Sequence, residues 1–275
     1  MFILKMSKLE LFVRYLLLIL LLLFFLFPIY WLIATSLKTQ VDIFAMPPKW
    51  LFVPTFENYI HVLTSTPYPE QAKNSLIAAT LNVTASMIIG TLAAYSISRF
   101  KVGTKNLLYW FLGIRMIPPI VASIPLFLIA ASLRLIDTYI ILPILYLTLN
   151  LPFVIWMMKS FLDEIPVDIE ESALIDGCSH LGAMVRVVIP LATPGLVATA
   201  VFCFIMAWNE FLFAMLFTRA QSVTLPVGLS GFITEQQIFW GYITAAAAVS
   251  AIPPIIFALI FQRYLVRGLT FGAVK

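Results

Sequence analysis

Charge is scarce in this sequence. Asp, Glu, Lys and Arg make up 11% of its 275 residues, against about 25% in a soluble domain. With 62% hydrophobic residues and a mean hydropathy of +1.01, a water-soluble core is excluded, and the composition is that of an integral membrane protein. Cys178 and Cys203 are the two cysteines, too few for a disulfide framework. His61 and His180 are the two histidines, so a zinc-type ligand set fails on number and spacing. The sequence contains no G-x-x-x-x-G-K run, hence no phosphate-binding loop of its own. The net charge of +4 reads as the Lys/Arg excess of cytoplasmic loops rather than as a nucleic-acid surface.

What is present in quantity is long apolar sequence. A spanning helix needs roughly 20 apolar residues, and six stretches qualify: 15–37, 74–98, 106–133, 138–158, 190–218 and 236–262. The first follows Lys5, Lys8 and Arg14, but its uncharged run is about twice the length of a signal-peptide core and no small-x-small cleavage site follows it cleanly, so it reads as a retained span. Prolines inside the runs, among them Pro28, Pro118, Pro119, Pro125, Pro152, Pro253 and Pro254, read as kinks in a helix bundle rather than as helix ends. Of the 17 Lys and Arg residues, eleven fall on the side of the N-terminus, five fall opposite and Arg115 lies within a span. That bias predicts both termini inside. The expected architecture is an all-α membrane protein of six helices in one transmembrane domain, 1–275. On the outside, a short helix is expected near Phe56–Leu63.

One large inner loop, 159–190, interrupts the apolar pattern with "IEESALIDGCSHLGAMVRVVIP" from Ile169 to Pro190. Asp168 and Glu171 have capping-box spacing, Gly177 suits a helix C′ position, and Ser179 can cap a second helix ending before Pro190. The loop therefore reads as helix, glycine turn, helix. Leu174, Cys178, Leu181, Val185 and Val188 recur with helical period and predict one apolar face. That pattern fits first a helix lying on the membrane surface, and as the alternative one that offers its face to a soluble partner.

Glu171-Ser172-Ala173, three residues, Gly177, nine residues, then Val187-x-Ile189-Pro190 resembles the EAA loop of ABC importer permeases. Ser172, Val187 and Ile189 are small departures from that pattern. The segments "ENYIHVL" (57–63), "AAYSISRF" (93–100), "RMIPPIVASIPLF" (115–127), "AWNEFLFAMLFT" (207–218) and "FQRYLVRGLTFGAVK" (261–275) are similar to the maltose-type carbohydrate-uptake permeases, in their shorter six-helix subunit. The resemblance implies the type I ABC importer permease fold, N-in and C-in, in a prokaryotic inner membrane. It implies a cytoplasmic coupling helix between helices 4 and 5 that grips an ATPase through Glu170, Glu171, Ser172, Ala173, Asp176, Gly177 and Pro190. Implied partners are a second homologous permease, two copies of a cytoplasmic ATPase and an extracytoplasmic solute-binding protein or lipoprotein. ATP and Mg would be used by the ATPase subunits, with no cofactor bound here. The tail 267–275 would reach toward the ATPase dimer interface.

Intramembrane polar residues are candidates for the translocation pathway or for contact with the partner permease. Arg115, Asn209 and Glu210 are read so. Asn150, with Asn82, also fits interhelical hydrogen bonding. On helix rise, Arg115 and Glu210 differ by ~16 Å in height, too far for a direct pair. Gly228-Leu229-Ser230-Gly231 mimics an intramembrane serine-protease motif, but its serine falls in an outer loop far from either histidine. A secondary transporter coupling ions through Arg115 and Glu210 is the competing function, but it gives the inner loop no task.

Overall fold

The computed structural model describes residues 8–270, except for the side chains of 104, 105 and 265–270. Among the described residues every regular element is a helix: α1 (Lys8–Ser36), α2 (Gln40–Ile43), α3 (Glu57–Thr64), α4 (Tyr68–Phe100), α5 (Thr104–Met116), α6 (Pro119–Ser132), α7 (Ile141–Asp163), α8 (Val167–Ile175), α9 (His180–Ala183), a π-helical turn (Met184–Val188), α10 (Ile189–Leu191), α11 (Thr193–Trp208), α12 (Leu212–Phe217), α13 (Leu225–Ser230) and α14 (Trp240–Thr270). Four helices are long and apolar enough to cross a membrane, and two bent pairs bring the number to six if each pair is one span. The chain forms two compact units, residues 1–68 with 231–250 and residues 69–230 with 251–275.

Two of the predicted spans are broken. Where one helix is expected over 106–133, α5 and α6 meet at an 87° bend. The prolines at 118 and 119 end a helix there instead of kinking one. A residue before proline is pushed out of the α region, and Ile117 (ψ 123°) and Pro118 (ψ 127°) are both extended. Pro119 then takes the first turn of α6, where its missing N–H costs nothing. Pro28, Pro125, Pro152, Pro253 and Pro254 do lie inside continuous helices. The stretch 190–218 divides into α11 and α12. Asn209 Nδ2 donates back to the Ile205 carbonyl at 2.8 Å. The Glu210 carboxylate accepts the N–H groups of Phe213 (2.9 Å) and Ala214 (3.2 Å), which starts a new helix in the manner of an N-terminal cap.

In the first unit, α1 buries only Ala34, Thr35 and Ser36. Its leucines and phenylalanines from Leu9 to Phe27 stay exposed, a surface suited to lipid, and Leu32 is half-buried. Asn58 of α3 ties down the end of α1, donating to the carbonyls of Ser36 and Lys38 at 2.9 Å each. The Tyr68 hydroxyl donates to the Ala246 carbonyl at 2.7 Å, and His61 stacks on Tyr242 with ring centroids 4.3 Å apart.

In the second unit, a core of Tyr95, Phe153, Val154, Met158, Leu162, Met184, Val188 and Cys203 gathers α4, α7, the π turn and α11. Small residues allow close approach, as is usual in membrane bundles. A Cβ on Gly90 would lie 2.5 Å from the Val154 side chain, and one on Gly195 would lie 2.4 Å from the Phe161 ring. Asn150 is fully enclosed. Its Nδ2 donates to Asn82 Oδ1 at 2.6 Å and to the Cys203 carbonyl at 3.0 Å, and Asn82 donates to the Pro143 carbonyl at 2.9 Å. The pair thus joins α4, α7 and α11.

Candidate functional site

The 159–190 loop folds as helix, glycine turn, helix, but its start differs from the sequence expectation. Pro166, not Asp168, is the N-cap of α8, and no side chain caps the helix. With the helix beginning at Val167, Asp168 falls in its first turn. The capping box with Glu171 is therefore not formed. Asp168 and Glu170 still place negative charge at the positive end of the helix.

The C-terminus of α8 closes on Gly177. The Gly177 N–H donates to the Leu174 carbonyl, and the Cys178 N–H to the Ala173 carbonyl, both at 3.0 Å. This is a Schellman closure, and it requires the left-handed conformation that Gly177 adopts (φ +90°). Ser179 then caps α9, its Oγ accepting the Gly182 N–H at 3.1 Å. The chain next widens into the π turn Met184–Val188, just before Pro190. Pro190 has no N–H to donate to the preceding turn. Such π-bulges recur at functional positions. A 78° bend follows between α10 and α11.

The predicted apolar face does not form as one stripe. The glycine turn and the π turn reset the helical phase, so Val188 is buried, Leu174 and Cys178 are half-buried, and Leu181 and Val185 are exposed. The buried residues are instead Glu170, Ala173, Ala183, Met184 and Val188. The loop presents Ile175 (86% exposed) and Leu181 (63%) outward, with Glu171, Ser172, Asp176, Gly177 and Pro190 also exposed. Ser172 folds its Oγ back onto the Asp168 carbonyl at 2.8 Å, so its hydroxyl is satisfied within the helix.

Glu170 is the centre of a buried polar knot that the sequence does not reveal. Its carboxylate accepts from Arg99 Nε at 2.7 Å and from the Tyr95 hydroxyl. The Glu170 and Arg99 side chains are 5% and 6% exposed. Arg99 also donates to the Ile165 carbonyl at 3.1 Å. The Tyr95 hydroxyl lies 3.3 Å from the His180 carbonyl, and Phe100 packs edge-on against the His180 ring. Next to this knot, Ser98 Oγ donates to Asp163 at 2.6 Å. The C-terminal end of α4 is thus bonded to the end of α7, to α8 and to α9. A displacement of α8 cannot leave α4 behind without breaking a desolvated ion pair.

The pathway candidates are placed apart from this loop. Arg115 sits in the last turn of α5, exposed, with its guanidinium 5.1 Å from the Phe153 ring centroid and 3.4 Å from Met206 Sδ. Asn209 and Glu210 occupy the break between α11 and α12, and Asn150 the buried joint of three helices. Among the described residues there is no group of three or more His, Cys, Asp or Glu that could hold a metal ion. Positions 271–275 and the side chains of 265–270 lie outside the described residues, and with them the predicted tail contact.

The chain is 38% identical over 261 residues to the trehalose/maltose transport system permease protein MalG of Thermococcus litoralis, covering 91% of each chain. It is 36% identical over 253 residues to the sulfoquinovosyl glycerol transport system permease protein SmoH of Agrobacterium fabrum, covering 91% of this chain and 89% of that one. In fold it is similar to a chain of a bacterial ABC transporter involved in the import of the acidic polysaccharide alginate, with a TM-score of 0.77 at 23% identity, over 96% of this chain and 99% of that chain. Residues 86–271 match the model of the binding-protein-dependent transport system inner membrane component, and the chain belongs to that family.

Proposed function

We propose that this chain is the permease subunit of an ATP-driven importer of sugars or sugar-like solutes, and that the 168–190 segment couples it to cytoplasmic ATPases. The observation that carries the reading is the construction of the inner loop. It is rigid within, through the Schellman closure and the Ser179 cap, and bonded to α4 through Glu170. Outward it offers Ile175 and Leu181 beside an exposed Gly177. A glycine with open space around it lets a partner's backbone approach closely. The sugar class rests on the likeness to the trehalose/maltose and sulfoquinovosyl glycerol permeases.

In this reading a second permease completes the pathway, with Arg115, Asn150, Asn209 and Glu210 as the residues assigned to the pathway or to the contact between permeases. Two ATPase copies bind and hydrolyse Mg-ATP. Their closure pushes on α8 and α9, and the Arg99–Glu170 bond carries the movement into α4. The cavity then turns outward to an extracytoplasmic binding protein. Both termini face the cytoplasm, and the membrane part is one permease domain.

Glu171→Lys or Gly177→Asp is expected to abolish solute uptake while the chain still inserts in the membrane. Unchanged uptake and unchanged assembly with the ATPase would overturn the reading. Loss of uptake in Arg115→Gln and Glu210→Gln with normal uptake in the loop variants would favour a secondary transporter.

A further inference from the structure

The first unit contains a trough that none of this uses. Phe27, Pro28, Trp31, Leu32 and Thr35 of α1 line one wall, with Ile43, Phe44, Trp240 and Thr244 around it, and they enclose about 500 Å³. From Phe27 to Thr35 the trough follows α1 for ~12 Å. Lys38 also lines it. It is 3% exposed. Its Nζ lies 4.8 Å from the Trp31 ring centroid and 5.0 Å from that of Phe52. Among the described residues its ammonium has no hydrogen-bond or ion-pair acceptor. Asp42, four residues on, feels the Lys38 charge without bonding to it; its hydrogen bonds are with Lys49 at 2.5 Å and Thr39 at 3.0 Å.

A buried ammonium without an oxygen partner is costly, and cation–π contact with two rings offsets part of that cost. The remaining demand is for an anion. The rest of the trough demands the opposite, an apolar body lying along a helix whose other faces suit lipid. We propose that this trough binds an anionic phospholipid, with a headgroup phosphate oxygen accepting from Lys38 Nζ and an acyl chain lying along Phe27, Trp31 and Phe44. A lipid meets both demands, whereas free phosphate meets only the first.

The test uses the full-length chain purified in detergent and stripped of lipid. Binding of phosphatidylglycerol, phosphatidylcholine and inorganic phosphate is followed by native mass spectrometry and by the shift in unfolding temperature. The expected result is binding of phosphatidylglycerol over phosphatidylcholine, weakened about tenfold or more in Lys38→Gln by loss of a charge-assisted bond and retained in Lys38→Arg. Thr244→Phe, which fills the trough and leaves Lys38 intact, should also weaken it, and this variant serves if Lys38→Gln does not fold. Equal phosphatidylglycerol binding by the wild type, Lys38→Gln and Thr244→Phe would overturn the proposal. So would saturation of the same shift by inorganic phosphate. Loss of a co-purifying membrane subunit in Lys38→Gln, with lipid binding unchanged, would assign the trough to a protein carboxylate and also overturn it.

Discussion

Arg99 Nε and the Glu170 carboxylate meet at 2.7 Å across 71 residues of sequence, and both side chains are almost fully buried. The contact joins a membrane helix to the loop proposed to receive the ATPase. Removing one member of a buried ion pair leaves the other uncompensated, at a cost of about 3–5 kcal/mol. Glu170→Gln or Arg99→Gln should therefore lower the unfolding temperature of the purified chain markedly, and the double variant should be less destabilised than the sum. Additive losses in that cycle would mean the two groups act independently. If the pair also transmits movement, the ATPase assembled with a Glu170→Gln chain should still hydrolyse ATP, with reduced solute uptake per ATP.

Gly177 tests the turn alone. A Cβ there meets no neighbouring atom, so Gly177→Ala introduces backbone strain without a clash. With φ at +90°, the cost expected for an L-residue is roughly 1–2 kcal/mol, and Asn should be tolerated better than Ala. Thermal unfolding of the two variants distinguishes this from a purely surface role, which would leave both unchanged.

Asp137, between α6 and α7, holds the segment that follows α12. Its carboxylate accepts the backbone N–H groups of Arg219, Ala220, Gln221 and Ser222 at 2.9–3.0 Å. Partial burial alone would raise its pKa, but those four donors outweigh burial and hold it well below the usual carboxylate value. A pKa lowered in the folded state means a contribution fully present above the unfolded value of about 3.9, and lost as the pH falls from there through the folded value. Asp137→Asn should lower the unfolding temperature at neutral pH. It should also flatten the decline of stability below about pH 4. An identical pH profile in the variant would contradict this.

Asn82 and Asn150 form one joint, so Asn82→Leu and Asn150→Leu should not be additive. Interhelical hydrogen bonds in membranes are worth about 0.6–1.7 kcal/mol, and each single variant should lose at least that, because it strands the partner's polar atoms in a closed core. Equilibrium unfolding of the three variants gives the coupling directly.

The residues that made the fold legible were those whose signal is local. Long apolar runs marked the spans, Gly177 marked the turn, and Ser179 marked the second helix start. The spacing of Asp168 and Glu171 favours a start of α8 at that carboxylate, whereas Pro166 sets it two residues earlier. The break at Pro118 reads as a kink because a bilayer tolerates one, and composition does not say whether freed backbone groups find partners in the same helix; the break at Asn209 has no proline beside it to mark it within the apolar run 190–218. Glu170 was legible as a member of the loop motif but not as half of a buried pair. Arg99 lies 71 residues away, and nothing in the spacing links them. Asp137 escaped notice for the same reason, its donors lying 82–85 residues on.

The central claim is that the exposed side of α8 and α9 is the surface an ATPase grips. A photo-crosslinking amino acid placed at position 175 or 181, in cells producing the whole transport system, should give a covalent adduct between this chain and the ATPase. The same group at position 128, exposed on α6, should give none. Absence of an ATPase adduct from both 175 and 181, in a chain that still supports uptake, would contradict the account.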